Sequence, residues 1–253
     1  MEKINVRGVE FDNVTFDEAV ELIYSRAGRG EQTAVFTPNA EIVQACVEDE
    51  SFRDIITSAD VLLPDGVGVI KAARILGTPL KEKVPGVEVG EALVRLSGER
   101  DLPVFLMGGK PGVADEAKEK LLEKYPGAQI AGSYHGYFKK EGEENDEVVK
   151  MINDSGAGAL FVCIGSPAQE KWIAANRGKL PGVKVLMGLG GSLDIYSGTA
   201  KRAPKIFIKL GMEWFYRLLK EPKRIGRMMK LPKFYVGTRR YKRKLKKEQK
   251  KQK

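Results

Sequence analysis

One histidine, His135, and two cysteines, Cys46 and Cys163, are present in 253 residues. A zinc site is built from several His or Cys ligands at set spacings, and a Ser-His-Asp or Cys-His centre needs a histidine beside a nucleophile, so neither chemistry is signalled. Both cysteines sit in apolar stretches, as buried thiols do in a reducing compartment. No stretch reaches the ~18 uninterrupted apolar residues that a membrane span needs. The opening residues MEKINVRGVEFDN contain no apolar h-region, so no secretory signal is expected. The G-x-G-x-x-G fingerprint is missing too: Gly108-Gly109-x-x-Gly112 has the wrong spacing, and Gly188-x-Gly190-Gly191 lacks the third glycine. With no G-x-x-x-x-G-K-[ST] loop either, nicotinamide and ATP-hydrolysing chemistry is weakly supported, while a generic nucleotide site survives.

The hydrophobic fraction of 42% is enough for a substantial core. The net charge of +9 averages two unlike parts. Residues 201–253 hold 21 Lys and Arg against three acids, Glu213, Glu221 and Glu248, whereas the first 200 residues are acidic with a net of −9. The chain therefore reads as an α/β core over 1–198 and a basic amphipathic appendage over 199–253.

Within the core, short apolar runs alternate with helical patterns. Residues 3–11 read as two β segments around Gly8, and Thr15 with Glu18 forms a capping box that opens a helix. Strands are expected at 34–36, 61–63, 104–107, 128–134, 159–164 and 183–187, separated by helices. This alternation predicts a Rossmann-like, mostly parallel sheet with helices on both faces. In such sheets ligands bind outside the carboxyl ends of the strands. Two of those ends stop at a proline, in Phe36-Thr37-Pro38-Asn39 and Leu63-Pro64-Asp65-Gly66, and would place Thr37, Asn39 and Asp65 on neighbouring turns. Other ends carry Gly108-Gly109, Gly165-Ser166-Pro167 and Gly188-Leu189-Gly190-Gly191. Close strand–helix packing accounts for any one glycine turn about as well as a ligand does. As a cluster they suit anionic phosphate, because glycine turns and helix N-termini present backbone N–H groups.

In the appendage, Phe207, Leu210, Gly211, Trp214, Phe215 and Leu218 form an apolar stripe. Pro222 and Pro232 are expected to break the chain, with Ile225, Met228 and Met229 lying between basic residues. Aromatic and Met-bearing amphipathic segments flanked by Lys and Arg describe an interfacial segment on an anionic membrane surface. The alternative is that Trp214 and Phe215 dock on the core and the lysines from Lys242 onward are a solvated tail. Nucleic acid is a weaker explanation of the charge, because the body is acidic and no recognised DNA or RNA module occurs.

Seven motifs then carry a resemblance: T-P-N-A-E at 37–41, L-P-D-G-V-G at 63–68, M-G-G-x-x-G at 107–112, G-S-P-x-Q-E at 165–170, G-x-G-G-S-x-D-x-x-[SA]-G at 188–198, K-R-A-P at 201–204 and E-W-F-Y-R at 213–217. In this order and spacing the chain resembles the WecG/TagA/CpsF glycosyltransferases from about residue 5 to 240. The teichoic acid branch of that family implies transfer of N-acetylmannosamine from its UDP-sugar to undecaprenyl-diphosphate-linked N-acetylglucosamine, with inversion and a β-1,4 linkage. Other UDP-sugars, N-acetylglucosamine or N-acetylmannosaminuronic acid, are the nearest alternatives. A soluble nucleotide-cofactor enzyme or a nucleic-acid-binding protein is the alternative of another class.

On that resemblance Asp65 is the base for the acceptor hydroxyl, although a turn-capping aspartate is its plain alternative. Thr37 and Asn39 orient sugar hydroxyls, and Gln169 reaches one of the two sugars. Gly108, Gly109, Gly188, Gly190 and Gly191 hold uridine and diphosphate, and Asp194 binds a hydroxyl or caps the following helix. No D-x-D motif is present, so no metal and no other cofactor is expected, and cations must meet the departing diphosphate. Lys83 stands where the family pattern carries arginine, which keeps the charge without the bidentate fork. Arg217, Arg224 and Arg227 are expected to close over the diphosphate from the appendage. The enzyme is expected to be cytoplasmic and peripheral on the inner face of the membrane, and to form homo-oligomers through the core or the appendage.

Overall fold

The computed structural model describes residues 1–201, 203–204, 207, 215–216 and 230–251. A hairpin, β1 (Lys3–Val6) and β2 (Val9–Asp12), precedes helix α1 (Phe16–Gly28). The chain then runs β3 (Thr33–Phe36), α2 (Ala40–Glu48), α3 (Glu50–Thr57), β4 (Val61–Leu62), α4 (Val67–Leu76) and α5 (Gly86–Leu96). The second half follows as β5 (Val104–Gly108), α6 (Val113–Lys124), β6 (Ile130–Tyr134), α7 (Glu143–Asp154), β7 (Ala159–Cys163), α8 (Ala168–Asn176), β8 (Val185–Gly188) and α9 (Ser192–Tyr196). A long helix, α10 (Lys230–Lys251), lies near the carboxyl terminus.

Six strands form one sheet in the order β4-β3-β8-β7-β5-β6, and every recorded pairing in it is parallel. The expected α/β sheet is thus present, with the β1–β2 hairpin antiparallel beside it. Period-two alternation sends strand side chains into two cores. Phe36, Leu62, Met107, Leu160 and Leu186 join α2, α3, α4, α7 and α8 on one face. Val35, Val61, Leu106, Phe161 and Met187 join α1, α5, α6 and α9 on the other. Strands buried on both faces must be apolar at every position, which is why β5 and β7 read as continuous hydrophobic runs.

Local sequence explains several boundaries. The Thr15–Glu18 capping box starts α1 as expected, with both reciprocal hydrogen bonds made. Helix α5 was not anticipated: it opens at Gly86 after Pro85, in a segment whose Gly86 and Gly90 lower helix propensity. Tertiary packing overrides that cost, because a Cβ on Gly86 would lie 2.7 Å from Thr37 Oγ1 and one on Gly90 2.7 Å from Leu189 Cδ1.

Pro232 corrects another expectation. It does not break the chain but occupies the first turn of α10, where its missing N–H has no intrahelical partner to lose. Helix α10 packs on α2 and α4. Phe234 is fully buried, the Arg7 guanidinium lies 5.5 Å from its ring centroid, and Arg7 also donates to the Gln44 side chain at 2.7 Å. Glu48 receives Lys233 at 2.6 Å and Lys230 at 3.8 Å. The helix runs on through Lys251, and Arg243, Lys244, Lys246 and Lys247 lie on its exposed surface. Of the expected apolar stripe, Leu210, Gly211, Trp214 and Leu218 fall outside the described residues, as do Ile225, Met228 and Met229.

Truncating Phe234 tests the docking. Phe234→Ala is expected to remove about 3 kcal/mol of packing, seen in hydrogen exchange as lost protection across 230–245 with the sheet amides still protected.

Candidate active site

A cavity of about 1850 Å³ opens at the carboxyl ends of the strands. The β3–α2 turn contributes Thr37 and Asn39, the β4–α4 turn Asp65 and Gly66, the β5–α6 turn Gly109 and Lys110, the β8–α9 turn Gly190 and Gly191, and α9 itself Asp194. Gln169 enters from α8, and Leu231 and Tyr235 from α10. The chain leaves β5 towards β6 on one side and returns to β7 on the other. That reversal of direction opens a crevice between the two connections, as at other α/β ligand sites.

Thr37, Asn39 and Asp65 gather on one side of the cavity. Asn39 is the N-cap of α2, its Oδ1 accepting from the N–H groups of Glu41 at 2.9 Å and Ile42 at 3.1 Å. The cap therefore fixes the Asn39 side chain where it lines the cavity. Asp65 is half-buried on a turn closed by Gly66, whose φ of 82° is the left-handed region that favours glycine. Helices α2 and α4 approach closely here: a Cβ on Gly68 would lie 2.7 Å from that of Ala40. Lys83 is half-buried and outside the cavity lining. Its segment runs alongside the Asp65 turn, where the Val84 N–H donates to the Pro64 carbonyl at 2.9 Å.

The glycines divide into two kinds. Gly109, Gly190 and Gly191 line the cavity. Gly108 and Gly188 do not; they end β5 and β8 behind it. A Cβ on Gly108 would lie 2.2 Å from the Cys163 carbonyl oxygen, and one on Gly188 2.9 Å from Gln169 Nε2. Close packing is what requires these two glycines. Asp194 sits in the first turn of α9 and lines the cavity; Gly191 is the N-cap and no side chain caps that helix. Gln169 is buried with its amide engaged by protein at both ends, accepting from the Gly190 N–H at 2.7 Å and donating to Glu170 at 2.9 Å. Arg217, Arg224 and Arg227 lie outside the described residues.

Charge around the cavity comes from Lys71, Lys110, Lys171, Lys201 and Lys230 against Glu41, Glu48, Asp49, Asp65 and Asp194. Among the described residues no group of three or more His, Cys, Asp or Glu side chains could hold a metal ion. Burial pushes the thiols of Cys46 and Cys163 up, Cys46 to about 12, so neither is a nucleophile at neutral pH.

The model of the glycosyl transferase WecG/TagA/CpsF family matches residues 4–248. The chain belongs to this family. It is 37% identical over 247 residues to the N-acetylglucosaminyldiphosphoundecaprenol N-acetyl-beta-D-mannosaminyltransferase of Staphylococcus aureus strain MRSA252, covering 97% of this chain and 95% of that protein. The enzymes of the same name from strains MW2 and NCTC 8325 are 36% identical over the same spans. This is therefore a glycosyltransferase, and the cavity is the place on the fold where its motifs converge.

Sequence reading assigned Glu170 no role and did not single out Lys71 or Tyr235. A signal for Glu170 existed: Gln169, Trp172, Ile173 and Asn176 repeat at spacings of three and four, and all are buried, as is Glu170, three residues before Ile173.

Thr37 is held by the space at Gly86. Gly86→Ala forces its side chain aside, and sugar transfer is expected to fall about tenfold from misplacement alone with the circular dichroism spectrum unchanged. Unaltered turnover would show that the Thr37 hydroxyl is not used.

Proposed function

We propose that the enzyme moves N-acetylmannosamine from UDP-N-acetylmannosamine to the 4-hydroxyl of a lipid-diphosphate-linked N-acetylglucosamine, an early step of wall teichoic acid linkage-unit synthesis. The observation that carries this reading is the two-sided cavity. Asp65, Thr37 and Asn39 lie on turns that lead to α2 and α4 on one face of the sheet, while the glycine turns after β5 and β8 lead to α6 and α9 on the other. The names of the Staphylococcus aureus relatives supply the sugar and the lipid acceptor.

In this mechanism the Asp65 carboxylate accepts the proton of the acceptor hydroxyl as its oxygen attacks the anomeric carbon. The bond to UDP breaks on the opposite face, so the configuration inverts. Thr37 and Asn39 hydrogen-bond the sugars, and Gly109, Gly190 and Gly191 receive the nucleotide diphosphate. Gln169 acts as part of the wall. Asp194 takes a ribose or sugar hydroxyl. The sequence carries no D-x-D motif, and the proposed transfer needs no metal. Cations then stabilise the leaving diphosphate: Lys83 beside the Asp65 turn, and Arg217, Arg224 and Arg227 folding in from the appendage.

Residues 1–198 are proposed as the catalytic core and 199–253 as the part that docks on anionic lipid. Among the described residues no helix is long and apolar enough to cross a membrane. The basic exposed face of α10 supports peripheral docking on the inner leaflet, at roughly 1 kcal/mol per basic residue near the surface. Off the membrane, the apolar residues of the appendage are proposed to pair with another copy.

UDP release from UDP-N-acetylmannosamine with a short-chain lipid-diphosphate-N-acetylglucosamine is expected to require the acceptor and to persist in EDTA. A requirement for divalent metal would refute the metal-free mechanism. Asp65→Asn is expected to lower kcat by about a hundredfold or more without changing the melting temperature, and unimpaired turnover would exclude Asp65 as the base. Vesicles with anionic lipid are expected to bind the protein at low salt, release it at high salt and dissociate its oligomers; binding equal to that of neutral vesicles would remove the docking model.

A further inference from the structure

We infer that Glu170 is the positioning residue that fixes the Gln169 amide in one orientation and, through it, the Gly190–Gly191 wall of the nucleotide side. The inference rests on reading the cavity as a sugar-nucleotide site. The Gly190 N–H can only donate, so Gln169 must present Oε1 to it, at 2.7 Å. Its Nε2 is thereby turned the other way and needs an acceptor, which Glu170 Oε1 provides at 2.9 Å. The missing Cβ of Gly188 leaves room for the same amide, 2.9 Å from where that Cβ would stand. The chain Glu170–Gln169–Gly190 thus joins two walls of the cavity, the start of α8 and the β8–α9 turn. A rotated amide would set Nε2 against the Gly190 N–H, donor against donor.

Glu170 is a poor choice for stability. It is 1% exposed, and its Oε2 is buried without a hydrogen-bond partner. Orphaned buried oxygens are rare and cost free energy, and an apolar side chain of the same shape avoids that cost. Burial, the largest influence, pushes its carboxyl above the usual range, partly offset by the hydrogen bond from Gln169. A destabilising group directly behind a cavity wall fits a role in holding that wall, since sites commonly keep features that stability alone would remove.

Three variants of the full chain test the lock by UDP calorimetry and by donor kinetics. Glu170→Met keeps length and removes the acceptor. It is expected to raise the Kd for UDP and the donor KM about tenfold, with kcat within about threefold. Glu170→Gln restores an acceptor of the same length and is expected to return both constants to within about threefold of wild type. Because Glu170 acts only through Gln169, the double variant Gln169→Met/Glu170→Met is expected to be no worse than Gln169→Met. Wild-type UDP affinity in Glu170→Met, damage in Glu170→Gln equal to that in Glu170→Met, or additive losses in the double variant would each overturn the lock. If Glu170→Met fails to fold, Glu170→Gln decides alone: near-wild-type affinity supports the lock, and a tenfold loss overturns it. A wild-type protein that binds no UDP would remove the sugar-nucleotide reading and the lock together, whereas UDP binding indifferent to Glu170 removes the lock alone.

Discussion

Burial of the parallel sheet on both faces is the constraint on which the rest depends. A strand packed under helices on either side has no place for an unpaired polar side chain, because the desolvation penalty would exceed what the strand gains. Polar residues with chemistry to perform are therefore displaced to the strand ends. There the chain leaves the sheet, backbone N–H groups lose their ladder partners, and glycine and proline turn it sharply. Asp65, Asn39 and Gly190 share a cavity for this reason although they are far apart in sequence.

The two ends of the sheet use polarity differently. At the amino ends of β3 and β4, charges satisfy one another: Asp60 accepts from the Ala34 N–H and meets both Arg177 and Arg26, while Gln32 donates to three carbonyls at the turn before β8. That end is closed and holds the layers together. At the carboxyl ends the cavity is open, and the internal hydrogen bonds that Gln169 and Asn39 make there organise its walls. The glycines at this end do two jobs, and only contact geometry separates them. Gly108 and Gly188 admit neighbouring atoms into the sheet, while Gly109, Gly190 and Gly191 face the cavity.

Helix α10 links the basic end of the chain to the same cavity. Phe234 and Thr238 are fully buried against the body while Arg239, Arg240 and Arg243 remain exposed, so the helix is amphipathic in the ordinary sense of a docked surface helix. Its first two turns bring Leu231 and Tyr235 to the rim.

Much of this was legible in the sequence because the signals were local. Alternating apolar runs announced the parallel sheet, the Thr15–Glu18 pair announced α1, and the motifs at 37–41 and 63–68 marked turns that do meet at one edge. Pro232 misled because proline stops a helix only from the interior, and its position relative to the first turn depends on where α10 begins. Helix α5 escaped because its glycines reflect contacts with Thr37 and Leu189, which no window of neighbouring residues contains. The sequence by itself determined the fold class, the strand ends that carry the chemistry and the unequal distribution of charge, all of which follow from periodicity and composition along the chain. Tertiary structure alone decided which glycines line the cavity, which way the Gln169 amide turns and where Glu170 is buried, because each depends on atoms brought within hydrogen-bond or van der Waals distance by packing between elements remote in sequence.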